Sequence, residues 1–151
     1  MTFFNLPFPP SVNSLYVTDF RTKRRFKSKE GRQFQTDMHL WALDHIDQIK
    51  LFTKGPCYKL RLTFFIAKDK LLTKDDRLKK LDVSNRVKPI EDALCNLLEI
   101  DDKDFLEIII QKTLSPRDSS WVDATIIPLD LPPEKYFKND RGSMPDLPGT
   151  R

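Results

Sequence analysis

Two short stretches hold the residues whose types and spacing could do chemistry. The first is Leu81-Asp82-Val83-Ser84-Asn85-Arg86-Val87-Lys88-Pro89-Ile90-Glu91-Asp92-Ala93-Leu94, and the second is Ile100-Asp101-Asp102-Lys103-Asp104. On a helix, Ser84 or Asn85, Lys88 and Asp92 fall on one face, opposite Val87, Ile90 and Leu94. The apolar side anchors the helix while a polar row faces outward beside Asp82. Hard divalent cations prefer carboxylate oxygens, and Mg²⁺ is commonly held by one or two carboxylates plus a substrate phosphate. An ion so held activates water and steadies the leaving oxygen of a phosphodiester. A lysine nearby offsets the charge that develops on the phosphate. Each group also has a plainer use. Asp82 can cap a helix start, Lys88 and Asp92 can form an i,i+4 pair worth a few tenths of a kcal/mol, and Asp101-Asp102 can be a solvated turn.

These residues need elements to position them. Residues 84–98 read as a helix with Val87, Ile90, Leu94 and Leu97 as its buried stripe; Pro89 either opens it in the first turn or kinks it. Residues 32–49 read as a second amphipathic helix, with Phe34, Met38, Trp41, His45 and Ile49 at helical spacing. Residues 2–8 are expected to be a strand ended by Pro9 and Pro10. The clearest strand is 58–67, whose alternation gives way to apolar residues on both faces at Phe65 and Ala67, as in a strand entering the interior. Strands are also expected at 105–113 and 121–129, joined by a polar turn at 115–120. Residues 11–20 read as extended loop, 24–27 as a short strand or hairpin arm, and 68–81 as a lysine-rich loop without a core pattern. Together these define an α+β class: a single small domain, a mixed sheet with two main helices packed on it. The domain is expected to span residues 1–131. Residues 132–151 hold four prolines and two glycines among few apolar side chains and read as a flexible tail.

Composition narrows the function further. The 151 residues suffice for one ordinary domain, and 39% hydrophobic content without a long apolar run excludes a membrane span. The start, Met1-Thr2-Phe3-Phe4-Asn5, has no basic region, so no secretory signal is expected and the location is taken as cytoplasmic. Cys57, Cys95, His39 and His45 lack the spacing of a disulfide framework or zinc site and read as structural. The net charge is +4, and its distribution is more telling. Arg21, Lys23, Arg24, Arg25, Lys27, Lys29 and Arg32 form one basic block; Lys68, Lys70, Lys74, Arg77, Lys79 and Lys80 form another. Basic blocks around a concentrated acidic spot suit an enzyme that binds phosphates and a divalent cation together, although two solvated loops and an acidic turn give the same pattern.

The sequence resembles the RusA family of Holliday-junction resolvases over about residues 4–129. Four ordered motifs carry the resemblance. They are Leu6-Pro7-Phe8-Pro9-Pro10-Ser11-Val12-Asn13 followed by Tyr16, Ser28-Lys29-Glu30-Gly31, Asp82-x-Ser84-Asn85-x-x-Lys88 with Asp92-Ala93-Leu94, and Asp101-Asp102. The resemblance implies that Asp82 and Asp102 are catalytic, metal-binding carboxylates with Asp101 beside them, and that Lys88 is the essential lysine. Asn85, Ser84 and Asp92 are then supporting residues. It also implies Mg²⁺, with Mn²⁺ as a substitute, a homodimer, and branched DNA as substrate. Arg21, Lys23, Arg24, Arg25, Lys27, Lys79 and Lys80 are expected to contact that DNA. One departure stands out: the family pattern has an aspartate where this chain has Ser84. Three other readings compete. They are a nuclease for flaps or forks, a junction-binding protein without catalysis, and a single-strand binder stacking bases on Phe8, Tyr16, Phe20 and Phe26.

Overall fold

The computed structural model describes residues 1–130; the segment read as a tail lies outside the described residues. The elements in chain order are β1 (Thr2–Pro7), β2 (Tyr16–Thr18), β3 (Arg25–Lys27), α1 (Lys29–Asp44), α2 (Ile46–Lys50), β4 (Cys57–Ile66), α3 (Lys68–Leu71), α4 (Val87–Leu98), β5 (Phe105–Leu114) and β6 (Trp121–Leu129). Short 3₁₀ turns lie at Val12–Ser14, Ser84–Arg86 and Asp102–Asp104.

The main sheet has the order β1-β6-β4-β5. Strand β4 pairs antiparallel with β6 and parallel with β5, which makes the sheet mixed, as expected for an α+β domain. Parallel neighbours need a long crossover, because a tight hairpin returns the chain antiparallel. Here that crossover, residues 67–104, carries α3, the lysine-rich segment, both chemistry-bearing stretches and α4. The fold therefore requires the very connection that holds the candidate site.

One sheet face is covered by helices. Leu60, Leu62, Phe64 and Ile66 of β4 join Val122, Ala124 and Ile126 of β6 and Phe3 and Leu6 of β1 in a single core. Phe34, Met38 and Trp41 of α1 and Ile90, Leu94 and Leu98 of α4 close it from above. Each such buried side chain contributes about 1.5–3 kcal/mol, so this core fixes α4 and hence Lys88. On the opposite face Phe65 does not enter the interior. It stacks on Trp121 at 4.7 Å, with the Arg117 guanidinium 4.9 Å from the Trp121 ring centre. Only Ala67, just past the strand, is buried.

Several local expectations are corrected. The helix expected over 32–49 starts earlier, at Lys29, because Ser28 caps it by accepting from the Gly31 N–H at 2.9 Å; it then breaks at His45 into α1 and α2. Residues 11–20 are not simple loop: β2 pairs antiparallel with β3, so the expected arm at 24–27 is one half of a hairpin. The lysine-rich stretch has a core contact after all. Leu71 of α3 is buried and Leu72 bridges Leu78, which closes the segment into a small loop. The helix expected from residue 84 begins at Val87, with Ser84–Arg86 as a tighter turn before it. Pro89 sits in its first turn, where no backbone donor is lost. Its fully buried stripe is Pro89, Ile90, Glu91, Leu94 and Leu98, while Val87 and Leu97 are half-buried.

Candidate active site

The site is built around the start of α4. The Asp82 carboxylate folds back on its own turn, accepting from the Ser84 N–H at 3.0 Å, from the Ser84 hydroxyl, and from Asn85 Nδ2 at 2.6 Å. This is the turn chemistry of a short acidic side chain before a helix. The Ser84 hydroxyl, first among these donors, holds the Asp82 carboxyl below the ordinary carboxylate range. Ser84 thus lends no negative charge, but it keeps Asp82 ionised.

One turn further on, Lys88 meets three carboxylates. Its Nζ donates to Asp102, lies 2.9 Å from Asp92, and is 3.7 Å from Glu91. Asp102 reaches it because α4 ends sharply. Glu99 adopts a left-handed conformation (φ 53°), and the Ile100 N–H closes the end on the Cys95 carbonyl at 3.1 Å. The hydrogen bond to Asp102, then that to Asp92, raises the Lys88 pKa well above the usual lysine value. Asp101, next in chain, instead caps the 102–104 turn and pairs with Lys103 at 2.7 Å, which lowers its pKa.

Sequence reasoning missed Glu91. It looked like one more polar residue beside Asp92, yet it is buried, and burial pushes its carboxyl pKa up against the opposing pull of Lys88. The available signal was its place on the helix, one residue after Ile90 and three before Leu94, inside the apolar stripe. Cys95, one turn on, is pushed up to about 12 by burial and then by Glu91, which makes it a structural thiol.

Arg86 was also missed. Its Nη1 donates to the Pro9 carbonyl at 2.6 Å and its guanidinium lies 5.1 Å from the Phe8 ring centre. This side chain straps the Pro9-Pro10 segment to the turn that carries Asp82. The neighbouring 12–14 and 84–86 turns pack together. On the other side, Leu15 accepts the Ser28 N–H at 2.9 Å, and Gly31 permits that approach, since a Cβ there would lie 2.7 Å from the Leu15 carbonyl oxygen. All four sequence motifs therefore converge on the start of α4.

A cleft of about 590 Å³ opens beside it, between α1, α4 and the β2–β3 hairpin. Asp92, Asp101, Asp102 and Lys27 all line it, with His39 and Tyr16. Lys27 is thus the member of the first basic block that lines this cleft. Arg25 lies over the Tyr16 ring at 4.5 Å, while Arg21, Lys23 and Arg24 sit exposed around the hairpin turn. Lys79 donates to the Asp69 carbonyl at 2.6 Å, and Lys80 is exposed two residues before Asp82. Phe8 packs edge-on against Phe64 at 6.0 Å beneath Arg86, so it is no free stacking platform; Phe20 is exposed.

Asp82 and Asp102 present hard oxygen donors at exposed positions, the donor chemistry a magnesium-class ion needs. The three carboxylates around Lys88 converge on an ammonium. Among the described residues no three His, Cys, Asp or Glu side chains form a group that could hold a metal ion. Any ion would draw its other ligands from water and substrate phosphate. No helix among the described residues is long and apolar enough to cross a membrane.

Exposed carboxylates, a lysine held among three of them and basic segments in the same crossover and hairpin suit the handling of phosphate esters. The family model for endodeoxyribonuclease RusA matches residues 7–120, and the chain belongs to that family. No curated protein is similar enough to the chain to count as a match.

Proposed function

We propose that this protein resolves Holliday junctions and related branched DNA by metal-dependent hydrolysis, with paired nicks made by a homodimer, in DNA recombination and repair. The observation that supports this best is the convergence of four separated motifs on one α4 terminus. Asp82 and Asp102, with Asp101 adjacent, are the residues that would hold Mg²⁺ or Mn²⁺. When bound, the ion supplies Lewis acidity and an activated water.

The protein's own residues do the rest. Ser84 and Asn85 orient the Asp82 carboxylate and keep it anionic. Lys88 holds a fixed positive charge beside Asp102, placed to offset charge developing on the scissile phosphate. Asp92 steadies Lys88 from the next turn. Lys27, the hairpin residues Arg21, Lys23, Arg24 and Arg25, and Lys79 and Lys80 are the contacts for the DNA backbone. Such contacts carry no sequence information and weaken with salt. Two subunits are needed because paired nicks fall on two strands.

A gel assay on a labelled four-way junction, a fork and a linear duplex, with Mg²⁺, Mn²⁺ or EDTA, tests the reading. Symmetric nicks on the junction alone, abolished by EDTA, are expected. Cutting centred on forks would move the substrate class. Tight junction binding without product in either metal would withdraw the catalytic reading and favour a junction-binding protein.

A further inference from the structure

Glu91 has no part in the four motifs, yet it is the one acidic side chain in the buried stripe of α4. Its side chain is 11% exposed, against 54% for Asp92 and 47% for Asp102, and its Oε2 lies 3.7 Å from Lys88 Nζ. A carboxylate taken out of water on a helix face otherwise made of Ile90, Leu94 and Leu98 is costly to keep unless a cation answers it. Lys88 is the cation that does so. The same ammonium is shared with Asp92 and Asp102, and Asp102 is the carboxylate proposed to turn toward a divalent ion. When it does, Lys88 loses its shortest contact and keeps two. The Asp92 pair is solvent-screened and of the exposed i,i+4 kind, which contributes little. Glu91 acts from a drier site, where the same charge pulls harder across a longer distance.

We infer that Glu91 is a positioning residue for Lys88: it keeps the ammonium against the first turn of α4 when Asp102 engages a cation. This rests on the nuclease reading of the site, and it assigns a residue outside the four motifs. It also implies that Glu91, more than the closer Asp92, sets where Lys88 sits.

Two measurements separate this role from folding and from the nuclease reading itself. The first needs neither metal nor DNA. Competitive acetylation is followed by mass spectrometry, with Lys88 read against an exposed lysine such as Lys70, in the Asp102→Asn background that mimics a disengaged Asp102. Adding Glu91→Gln should raise Lys88 labelling several-fold; adding Asp92→Asn should raise it less. Equal labelling with and without Glu91→Gln, or a larger effect of Asp92→Asn, overturns the inference. The second is junction cutting by Glu91→Gln and Glu91→Leu in the otherwise intact protein. A drop in kcat of about tenfold to about a hundredfold, the range for a misplaced catalytic group, is expected with KM little changed. Both variants should stay folded at the assay temperature, because the half-exposed Lys88 keeps Asp92 and Asp102 as partners when Glu91 is replaced. A wild-type kcat in a folded Glu91→Leu protein also overturns it. If the wild type cuts no DNA, the nuclease reading fails, and the labelling experiment still decides whether Glu91 holds Lys88.

Discussion

Arg86 offers the most direct test of how the site is assembled. Replacing it with Met keeps most of the apolar stem and removes the guanidinium. Three terms decide the outcome. The 2.6 Å hydrogen bond to the Pro9 carbonyl comes from a charged donor, and such bonds contribute about 1.5–3 kcal/mol. The contact with the Phe8 ring adds roughly 0.5–1 kcal/mol at a half-buried position. Against these, Nε is buried without a hydrogen-bond partner, and burial lowers the Arg86 pKa, so removal recovers about 1–2 kcal/mol of desolvation cost. The net loss is about 1–2 kcal/mol, or roughly 3–10 °C in Tm for a domain of this size. At 25 °C the variant stays folded, so any larger defect belongs to the site. Without the strap, the Pro9-Pro10 segment and the 12–14 turn behind it lose their tie to the Asp82 turn, and kcat should fall by at least tenfold, since small displacements of catalytic groups are expensive. Thermal melts followed by circular dichroism and junction cutting at 25 °C measure both. An unchanged Tm with unchanged kcat would refute the reasoning.

Other outcomes follow from the site's charges. Ser84→Asp places a second carboxylate beside Asp82 and should lower the Mg²⁺ concentration for half-maximal cutting, read from a magnesium titration; a higher requirement would mean that Ser84 serves chiefly to hold Asp82. In pH profiles the signs are set by the two shifts. Asp82 is depressed below its ordinary 3.8, so its negative charge is kept as pH falls and is lost only below that value. Lys88 is raised above its ordinary 10.5, so its positive charge is kept as pH rises through that value. An alkaline limb below pH 10.5 that vanishes in Lys88→Arg would contradict this placement. In the core, Leu94→Ala should cost about 2–5 kcal/mol, the range for a fully buried leucine, with denaturant unfolding as the measure.

How legible the fold was depended on burial. The strand at β4 and the helices α1 and α4 follow from apolar spacing, because each buries one face against the same core. Strand β2 was not legible: Tyr16–Thr18 is exposed throughout, so no apolar alternation marks it, and only pairing with β3 makes it a strand. The start of α1 was hidden by Gly31, a poor helix former, although Ser28 gave the cap signal. Ile108, Ile109 and Ile110 look like interior residues, yet all are exposed: among the described residues β5 is an edge strand that gives only Phe105 to the packing around the core. In the site, the motif residues Asp82, Lys88 and Asp102 were legible as types. That Asp102 contacts Lys88, and that Asp82 bonds to Ser84 and Asn85, was not, since it depends on the left-handed turn at Glu99 and the tight turn at 84–86. Arg86 was invisible for a related reason, and Glu91 offered only its place in the apolar stripe: a charged residue reads as solvent-facing until a tertiary partner is known.

The measurement closest to the central claim is cleavage of a synthetic four-way junction by Asp82→Asn, set beside its junction binding. The substitution removes the negative charge with almost no change in shape and leaves the basic segments untouched. Binding close to wild type and no paired nicks in Mg²⁺ or Mn²⁺ are expected. Cutting at the wild-type rate would show that the chemistry lies elsewhere than at the start of α4.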